Sequence, residues 1–556
     1  MKRIYTMIIL SFMLNEFRSQ TFTWAKDEGA AGYDYGMGVT TDNAGNIYMA
    51  GKYEECAVFT GSTINCSVNH NHDIYLAKYA PSGSLTWIRT AGGPIGDYAH
   101  AVACDGTANV VIAGEIEGAP TDVITFFGST VTLNPVYDND FVLAKYDLNG
   151  NLQWALREGG NGSEKAEGVC MDNAGNIYAC GHFLQPITWN GTTTTNGAGL
   201  EDCFIVKYNA NGVFQWVKTI GGPGRDEVKG VKCDAAGNVY AIGYYSDQCV
   251  FGTTTYSTSG NSAYLDIFLV KYDPSGNLLW TRTAGETYDD AGWGITIDNA
   301  GLIYITGEFN ASIYFGTNQV ITNGNSDAFV ACYDQNGNAI WAKGGGGPLY
   351  DRARGIGNFG NNIFITGQFG GTAAFGSTNV FAADSSDVFF ATLTNSGTFI
   401  NASSISGTVD QPESLGFESG QSICADPAGV VYASGALLNG GTCGSTVLNG
   451  YGKTDAFLAR IDQMVGMSTI TNTHQKNIHV YPNPGTGNFI VDFDEQVSTR
   501  YELNVINCLG QTVDTKINKG SSKTSLDLTD LENGVYFIEI KDDNKTISTK
   551  KIVIHR

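Results

Sequence analysis

The stretch DNAGNIYMAGKY begins at Asp42 and returns, lightly altered, as DNAGNIYACGHF at Asp172 and DAAGNVYAIGYY at Asp234. No other feature constrains the fold as tightly, because recurrence at a long fixed period marks a repeat architecture. One unit has a fixed grammar. A strand ends in Asp, a turn such as NAGN follows, and a second strand reads IYxxG. After roughly twenty variable residues comes DxFxxKY, then a second glycine turn and a strand carrying Trp. Gly and Asn tolerate the positive φ of tight hairpins, so each unit reads as two β-hairpins, or four strands.

The Trp markers are Trp24, Trp87, Trp154, Trp216, Trp280 and Trp341, with Phe399 in the next equivalent place, at spacings of 63, 67, 62, 64, 61 and 58. The DxF marker starts at Asp73, Asp140, Asp202, Asp266, Asp327, Asp387 and Asp455. Four strands per unit suit a propeller blade; a solenoid would show polar capping repeats at its ends. Instead the last unit stops at DAFLARID (Asp455–Asp462) without its Trp strand, and an orphan Trp strand, TFTWAK, opens at Thr21. A ring joins such fragments into one blade. The expected fold class is therefore all-β: a seven-bladed β-propeller over residues 21–462, closed by the N-terminal strand 21–26. A polar linker (463–477) and a small Ig-like β-sandwich (478–556) follow, the latter read from alternating strands broken by Pro-Asn-Pro, Leu-Gly-Gln and Asn-Gly turns.

Composition supports this division. At 556 residues the chain exceeds one ordinary core. Its 71 glycines follow no three-residue period and so mark turns. The net charge of −23 argues against nucleic acid as a partner, and residues 472–556, with 10 basic and 11 acidic side chains, carry almost none of the excess. Residues 1–20 pair Lys2 and Arg3 with the short apolar run Met7–Leu14, which fits a cleaved export signal; no later segment approaches transmembrane length. Most of the 12 cysteines replace small or apolar residues at strand positions, so buried free thiols are expected. Cys56 and Cys66, ten apart across one loop, are the best candidate disulfide. No CxxC occurs, and neither a metal site nor a cofactor is expected.

The recurring DxxGNxYxxG and DxFxxKYxxxGxxxW resemble the bacterial SBBP repeat family of seven-bladed propellers, which implies the fold and an exported location. The tail resembles the type A C-terminal sorting domain of the type IX secretion system of Bacteroidota. The residues matching that pattern are Tyr481, Pro482, Asn483, Pro484, Gly487, Gly510, Gly534, Tyr536 and Lys551. This implies the secretion machinery as a partner, transport across the outer membrane, and removal of the tail with release or surface attachment.

Chemistry is harder to find. No P-loop, GxGxxG after a strand, HExxH or GxSxG appears. Two positions are acidic in every unit: the Asp of each DxF, and a second set at Asp34, Asp97, Glu164, Asp226, Asp290, Asp351 and Glu418. An acid used identically by every blade points to a shared task, such as accepting backbone N–H bonds, in preference to a cation ring. Three residues after the second set the repeats disagree, at Met37, His100, Glu167, Lys229, Trp293, Arg354 and Gln421. Varied polar and aromatic groups on a loop-rich face are what selective recognition needs. Of these, His100, Glu167, Lys229, Trp293 and Arg354 are the candidate ligand-binding residues. The expected function is an exported, non-enzymatic, monomeric propeller that binds a ligand or partner, with a glycan or surface polymer as the leading guess. Rival readings are a purely structural surface component and a polysaccharide hydrolase or lyase, for which Glu167 and Glu227 are the only acid/base candidates.

Overall fold

The computed structural model describes residues 21–29, 31–60, 62–64, 71–126, 129–136, 138–194, 199–383, 385–407, 418–462, 478–493, 500–507, 512–519, 522–542 and 545–555. The expected export signal (1–20), the linker, Cys66 and Gly510 lie outside them. The chain divides into two compact units, residues 1–464 and 465–556. Every regular element described is a strand.

In the first unit, each repeat folds into a meander. Tyr35–Thr41, Ile47–Glu54, His72–Tyr79 and Leu85–Gly92 pair antiparallel in chain order, and this four-stranded pattern recurs in seven sheets among the described residues, three of them widened to six strands by an added hairpin. The innermost strands are Tyr35–Thr41, Asp97–Cys104, Glu164–Met171, Glu227–Cys233, Ala291–Ile297, Arg352–Phe359 and Ser419–Ala425. Each packs against the next and the last against the first, so they close around an axial channel. This is a β-propeller. The outer strand of the seventh sheet comes from the other end of the chain: Thr21–Glu28 runs antiparallel to Thr454–Asp462, with Thr21 opposite Asp462 and Glu28 opposite Ala456. The variable stretches inside the repeats also cover edges that would otherwise stand open. The hairpin Ile124–Phe126/Thr132–Leu133 adds itself to the outer strand Leu85–Gly92 of the preceding blade.

The repeat motif is the set of bonds that every blade must make. Asp42 accepts N–H bonds from Ala44 (3.0 Å) and Asn46 (2.9 Å), and its second oxygen takes the Asn46 amide (2.8 Å) and the Tyr48 hydroxyl (2.9 Å). Asp172 and Asp234 repeat the scheme, which spends these carboxylates on their own turns. The Lys and Trp of DxFxxKYxxxGxxxW stitch blade to blade. Lys78 and Trp87 both donate to the Leu148 carbonyl of the next blade, at 3.0 and 3.2 Å, and Lys207 and Trp216 both donate to that of Pro274, at 2.9 and 3.1 Å. Gly150 lies under the Trp87 ring with φ of 80°; a Cβ there would meet the indole at 3.0 Å, so both backbone and space require glycine. The hydrophobic cores lie between blades, as where Tyr48, Ile74 and Leu76 pack on Val110, Ile112 and Val142. Among the described residues nine cysteines are free, including the buried Cys170, Cys180, Cys203 and Cys332; Cys56 is in a disulfide.

The second unit is a β-sandwich. Ile478–Tyr481, Asn488–Phe493 and Lys523–Asp527 form one sheet, and Thr512–Lys519, Arg500–Ile506, Gly534–Asp542 and Lys545–Ile554 the other. Alternate residues of both meet in a core of Phe489, Val491, Leu503, Val505, Leu526, Ile538, Ile540 and Ile552. The Tyr481–Pro482–Asn483–Pro484 turn is clipped to the last strand: Asn483 Oδ1 accepts from Val553 N at 2.9 Å, and Gly485 exchanges bonds with Val553 and His555. Gly487 has φ of 118°, and the Tyr536 hydroxyl donates to the Glu532 carbonyl at 3.1 Å. Lys551 pairs with Phe537 in the ladder.

Candidate functional site

Both repeated acids gather at the blade junctions. All fourteen are buried, none more than 3% exposed, and they pair across the junction: Asp73 with Asp97, Asp140 with Glu164, Asp202 with Asp226, Asp266 with Asp290, Asp327 with Asp351, Asp387 with Glu418, and Asp455 with Asp34. Four of them, Asp97, Asp290, Asp351 and Asp387, accept backbone N–H bonds both from four residues before and from about twenty after. Asp97 takes Gly93 N (2.8 Å) and Glu117 N (3.2 Å); Asp351 takes Gly347 N (2.7 Å) and Gly370 N (3.1 Å). On the partner side, Asp387 takes Ala383 N (2.8 Å) and Gly407 N (2.9 Å). A glycine makes room for the pair. A Cβ on Gly346 would stand 2.6 Å from Asp327 Oδ1 and 2.8 Å from Asp351 Oδ2. Burial, then the facing acid, pushes Glu164, Asp226 and Asp290 up to about 8.

The varied positions lie elsewhere than expected. Met37, His100, Glu167, Lys229, Trp293, Arg354 and Gln421 are not on loops; all seven line the axial channel from the innermost strands. The register slips at each of them, between Gly36 and Gly38, Ala99 and Ala101, Ala166 and Gly168, and so on around the ring. Each is thus the extra residue of a β-bulge. A bulged residue has no ladder partner, and its side chain is re-aimed, here toward the axis.

Two further varied tiers join this ring. The residue after the glycine of each IYxxG strand varies from blade to blade, supplying Lys52, Glu115, His182, Tyr244 and Glu308; the residue after each second-set acid supplies Tyr98, Lys165, Glu227 and Arg352. Glu227 is already a candidate acid from sequence; comparing repeats at those two positions as well would have found the others. The tiers interlock. Lys229 Nζ lies 2.7 Å from Glu167 and 2.5 Å from Glu227, and His182 Nδ1 lies 3.8 and 3.5 Å from the same two carboxylates. Trp293 carries cations on its faces, with Arg354 at 4.5 Å and Lys229 and Arg352 each at 5.2 Å, and its Nε1–H approaches Glu308 at 3.4 Å. Arg352 pairs with Glu308 at 2.8 Å, and His100 with Glu115 at 3.3 Å.

These environments fix the charges. Burial works against ionisation of Glu167, but the Lys229 ammonium, with His100 and His182, holds it down to about 2. Glu227 is likewise lowered by Lys229 against its burial, and the two carboxylates raise Lys229 in return. Burial keeps His182 low, hence neutral. Glu167, His182 and Glu227 offer ligand atoms within 4.8 Å of one another, a spacing that suits a metal ion. The Lys229 ammonium already sits between the two carboxylates, however, and supplies the positive charge there. Arg354 differs from its neighbours. Burial, then Arg352, lowers it to about 10, and its buried Nε–H has no hydrogen-bond partner.

Fold and tail together define an exported propeller. Residues 479–555 match the family described as "Secretion system C-terminal sorting domain". The tail is a type IX sorting signal, and the protein is secreted or held at the cell surface. Among the described residues, no helix is long and apolar enough to cross a membrane. In sequence the chain is similar to an uncharacterized WD repeat-containing protein, L264, of Acanthamoeba polyphaga mimivirus, at 24% identity over 62% of this chain and 31% of that one. It is also similar to the regulatory protein FlaEY of Caulobacter vibrioides, at 24% identity over 38% of this chain and 24% of that one. The chain therefore spans about a third or less of these curated relatives. Among solved structures, a protein of unknown function from Dyadobacter fermentans aligns over 65% of this chain and 93% of its own, with a TM-score of 0.34 and 9% identity.

Proposed function

We propose that the propeller is a non-enzymatic binding module whose ligand enters the axial channel, with the bulge ring as its recognition surface. One observation carries the reading: positions that differ in every blade converge on one channel, while the frame around them is uniform. A glycan or surface polymer remains the favoured ligand, since the channel offers aromatic rings beside charged donors. The SBBP-like motifs agree with an exported role and leave the ligand open. A hydrolase would need one carboxyl held protonated near neutral pH beside an ionised partner. Glu167 and Glu227, both lowered, lack that asymmetry.

The test is a glycan and protein array with the purified propeller, read beside a hydrolysis screen. Binding without turnover is expected; hydrolysis that disappears in Glu167→Gln would make the enzyme reading the correct one. The tail is proposed to act as an address only. A chain ending at Asn472 is expected to fold and stay in the periplasm, and its arrival at the surface, followed by fractionation, would contradict that role.

A further inference from the structure

At the channel end nearest the acid pairs, a cavity of about 430 Å³ opens between Lys52, Tyr98, His100, Lys165 and Arg354. Its charge runs against that of the molecule. The chain carries −23 overall, yet four basic side chains line this space against two acids, Glu115 and Glu117. One of those acids is already engaged, since Glu115 pairs with His100 at 3.3 Å and Lys165 at 3.6 Å.

Lys52 and Arg354 have no carboxylate within ion-pair distance among the described residues. Aromatic rings hold them instead. Lys52 Nζ stands 4.7 Å from the Tyr35 ring and 4.6 Å from that of Tyr98, and the Arg354 guanidinium lies 4.5 Å from Trp293. Ring faces position a cation without using its N–H donors, so those donors are left for a ligand. A buried guanidinium N–H without an acceptor is costly, and a site built around one favours ligands that supply the missing oxygen. Guanidinium and carboxylate also match in a two-pronged geometry that a neutral hydroxyl cannot reproduce.

Building on the binding function proposed above, we infer that this cavity takes an acidic sugar unit, with its carboxylate on Arg354 and Lys52 and its hydroxyls toward Glu117, Asn139 and Gln421. The volume lies within the range of small-ligand sites and suits one or two sugar rings.

The test uses the full chain and three probes, glucuronate, glucose and inorganic phosphate, titrated by calorimetry or ligand-observed NMR. Glucuronate should bind at least tenfold more tightly than glucose or phosphate. Arg354→Gln and Lys52→Gln should each remove most of that preference, while Lys218→Gln, on an outer strand, should not. Circular dichroism and melting establish that each variant is folded; should Arg354→Gln fail to fold, Lys52→Gln alone decides. A second readout is pH. Burial brings Lys52 down to about 8 in the company of Glu115, Glu54, Asp34, Lys165 and His72. Glucuronate affinity should therefore fall as pH rises through that value and stay flat in Lys52→Gln. Equal affinity for glucose and glucuronate would overturn the acidic-sugar inference and leave the channel as a binding site. Phosphate binding as tightly as glucuronate would show a bare oxyanion site and overturn it too. Binding of none of the three would overturn this inference alone if the array finds another channel ligand, and both proposals if it finds none.

Discussion

Two rings of side chains stand three residues apart, one at the entry to each innermost strand and one within it, and they behave in opposite ways. The junction acids are chemically uniform and fully buried; the bulge residues run through Met, His, Glu, Lys, Trp, Arg and Gln. Backbone geometry explains the contrast. Acids such as Asp97 and Asp290 hold N–H groups of the chain on either side, so replacing one orphans donors at a blade junction. The bulged residue belongs to no ladder pair, and the frame does not depend on what it carries. Uniformity marks what the ring needs in order to close, and variation marks what the ring is free to use.

The comparison breaks most severely if the frame itself is opened. Removing Thr21–Glu28 strips the outer strand from the seventh sheet and exposes the edge of Thr454–Asp462. The expected outcome is loss of cooperative melting for the whole propeller, followed by near-ultraviolet circular dichroism. A normal transition in the shortened chain would mean that the seventh sheet stands without it.

Next comes a pair of substitutions, one in each ring. Asp290→Ala leaves Glu286 N and Asn310 N without their acceptor, which lie at 3.1 and 3.0 Å in the intact protein. Two buried orphaned donors cost about 2–5 kcal/mol together. Gln421→Ala, at the bulge, should stay within about 0.5 kcal/mol, as most partly exposed substitutions do. Equal losses in denaturant melts would erase the distinction between the rings.

The acid pairs also set a pH dependence of uncommon sign. Burial pushes Asp73, Asp266 and Asp351 up to about 7, and Glu164, Asp226 and Asp290 to about 8, while unfolded carboxyls titrate near 4. Between those values the folded chain holds more protons than the unfolded one, so stability falls as pH rises from about 4 to 8. His72 and His182, lowered by burial, work the other way below about 6.5, but they are two against many. The melting temperature should be about 5 °C higher at pH 6 than at pH 8. The turn acids Asp42 and Asp105 are lowered by their hydrogen bonds against burial, and their contribution is lost only in stronger acid.

Much of the frame was legible because repetition amplifies weak signals. The Asn-Gly turns, the Asp of DxF and the Trp strand each recur often enough to separate rule from accident, and the all-β architecture followed from them. The site was legible only in part. Comparing repeats found the bulge ring but placed it on loops, since nothing in a single strand announces that one residue is extra. The partners of that ring, His182, Tyr244 and Glu308, were missed although they vary just as freely after the glycine of IYxxG. The ion pairs among them join residues as far apart as Glu167 and Lys229, and only ring closure brings such pairs together. Cys66 and Gly510, named from sequence, lie outside the described residues.

The smallest effect sharpens the comparison most, because it concerns function with the frame intact. Trp293 holds three cations against its ring and lends Nε1–H to Glu308, yet it sits at a position where other blades carry Met or Gln. Trp293→Ala should therefore leave melting nearly unchanged, since no ladder bond is lost. It should release Arg354 from its aromatic support, so that the guanidinium no longer holds one direction in the channel. Truncating an aromatic anchor in a recognition site typically costs about 2 kcal/mol or more, and affinity for a channel ligand should drop accordingly, by about thirtyfold. Trp293→Phe retains a ring face and should recover part of the loss. If Trp293→Ala weakens the fold as much as Asp290→Ala does, the bulge ring belongs to the frame, and its variation carries no message.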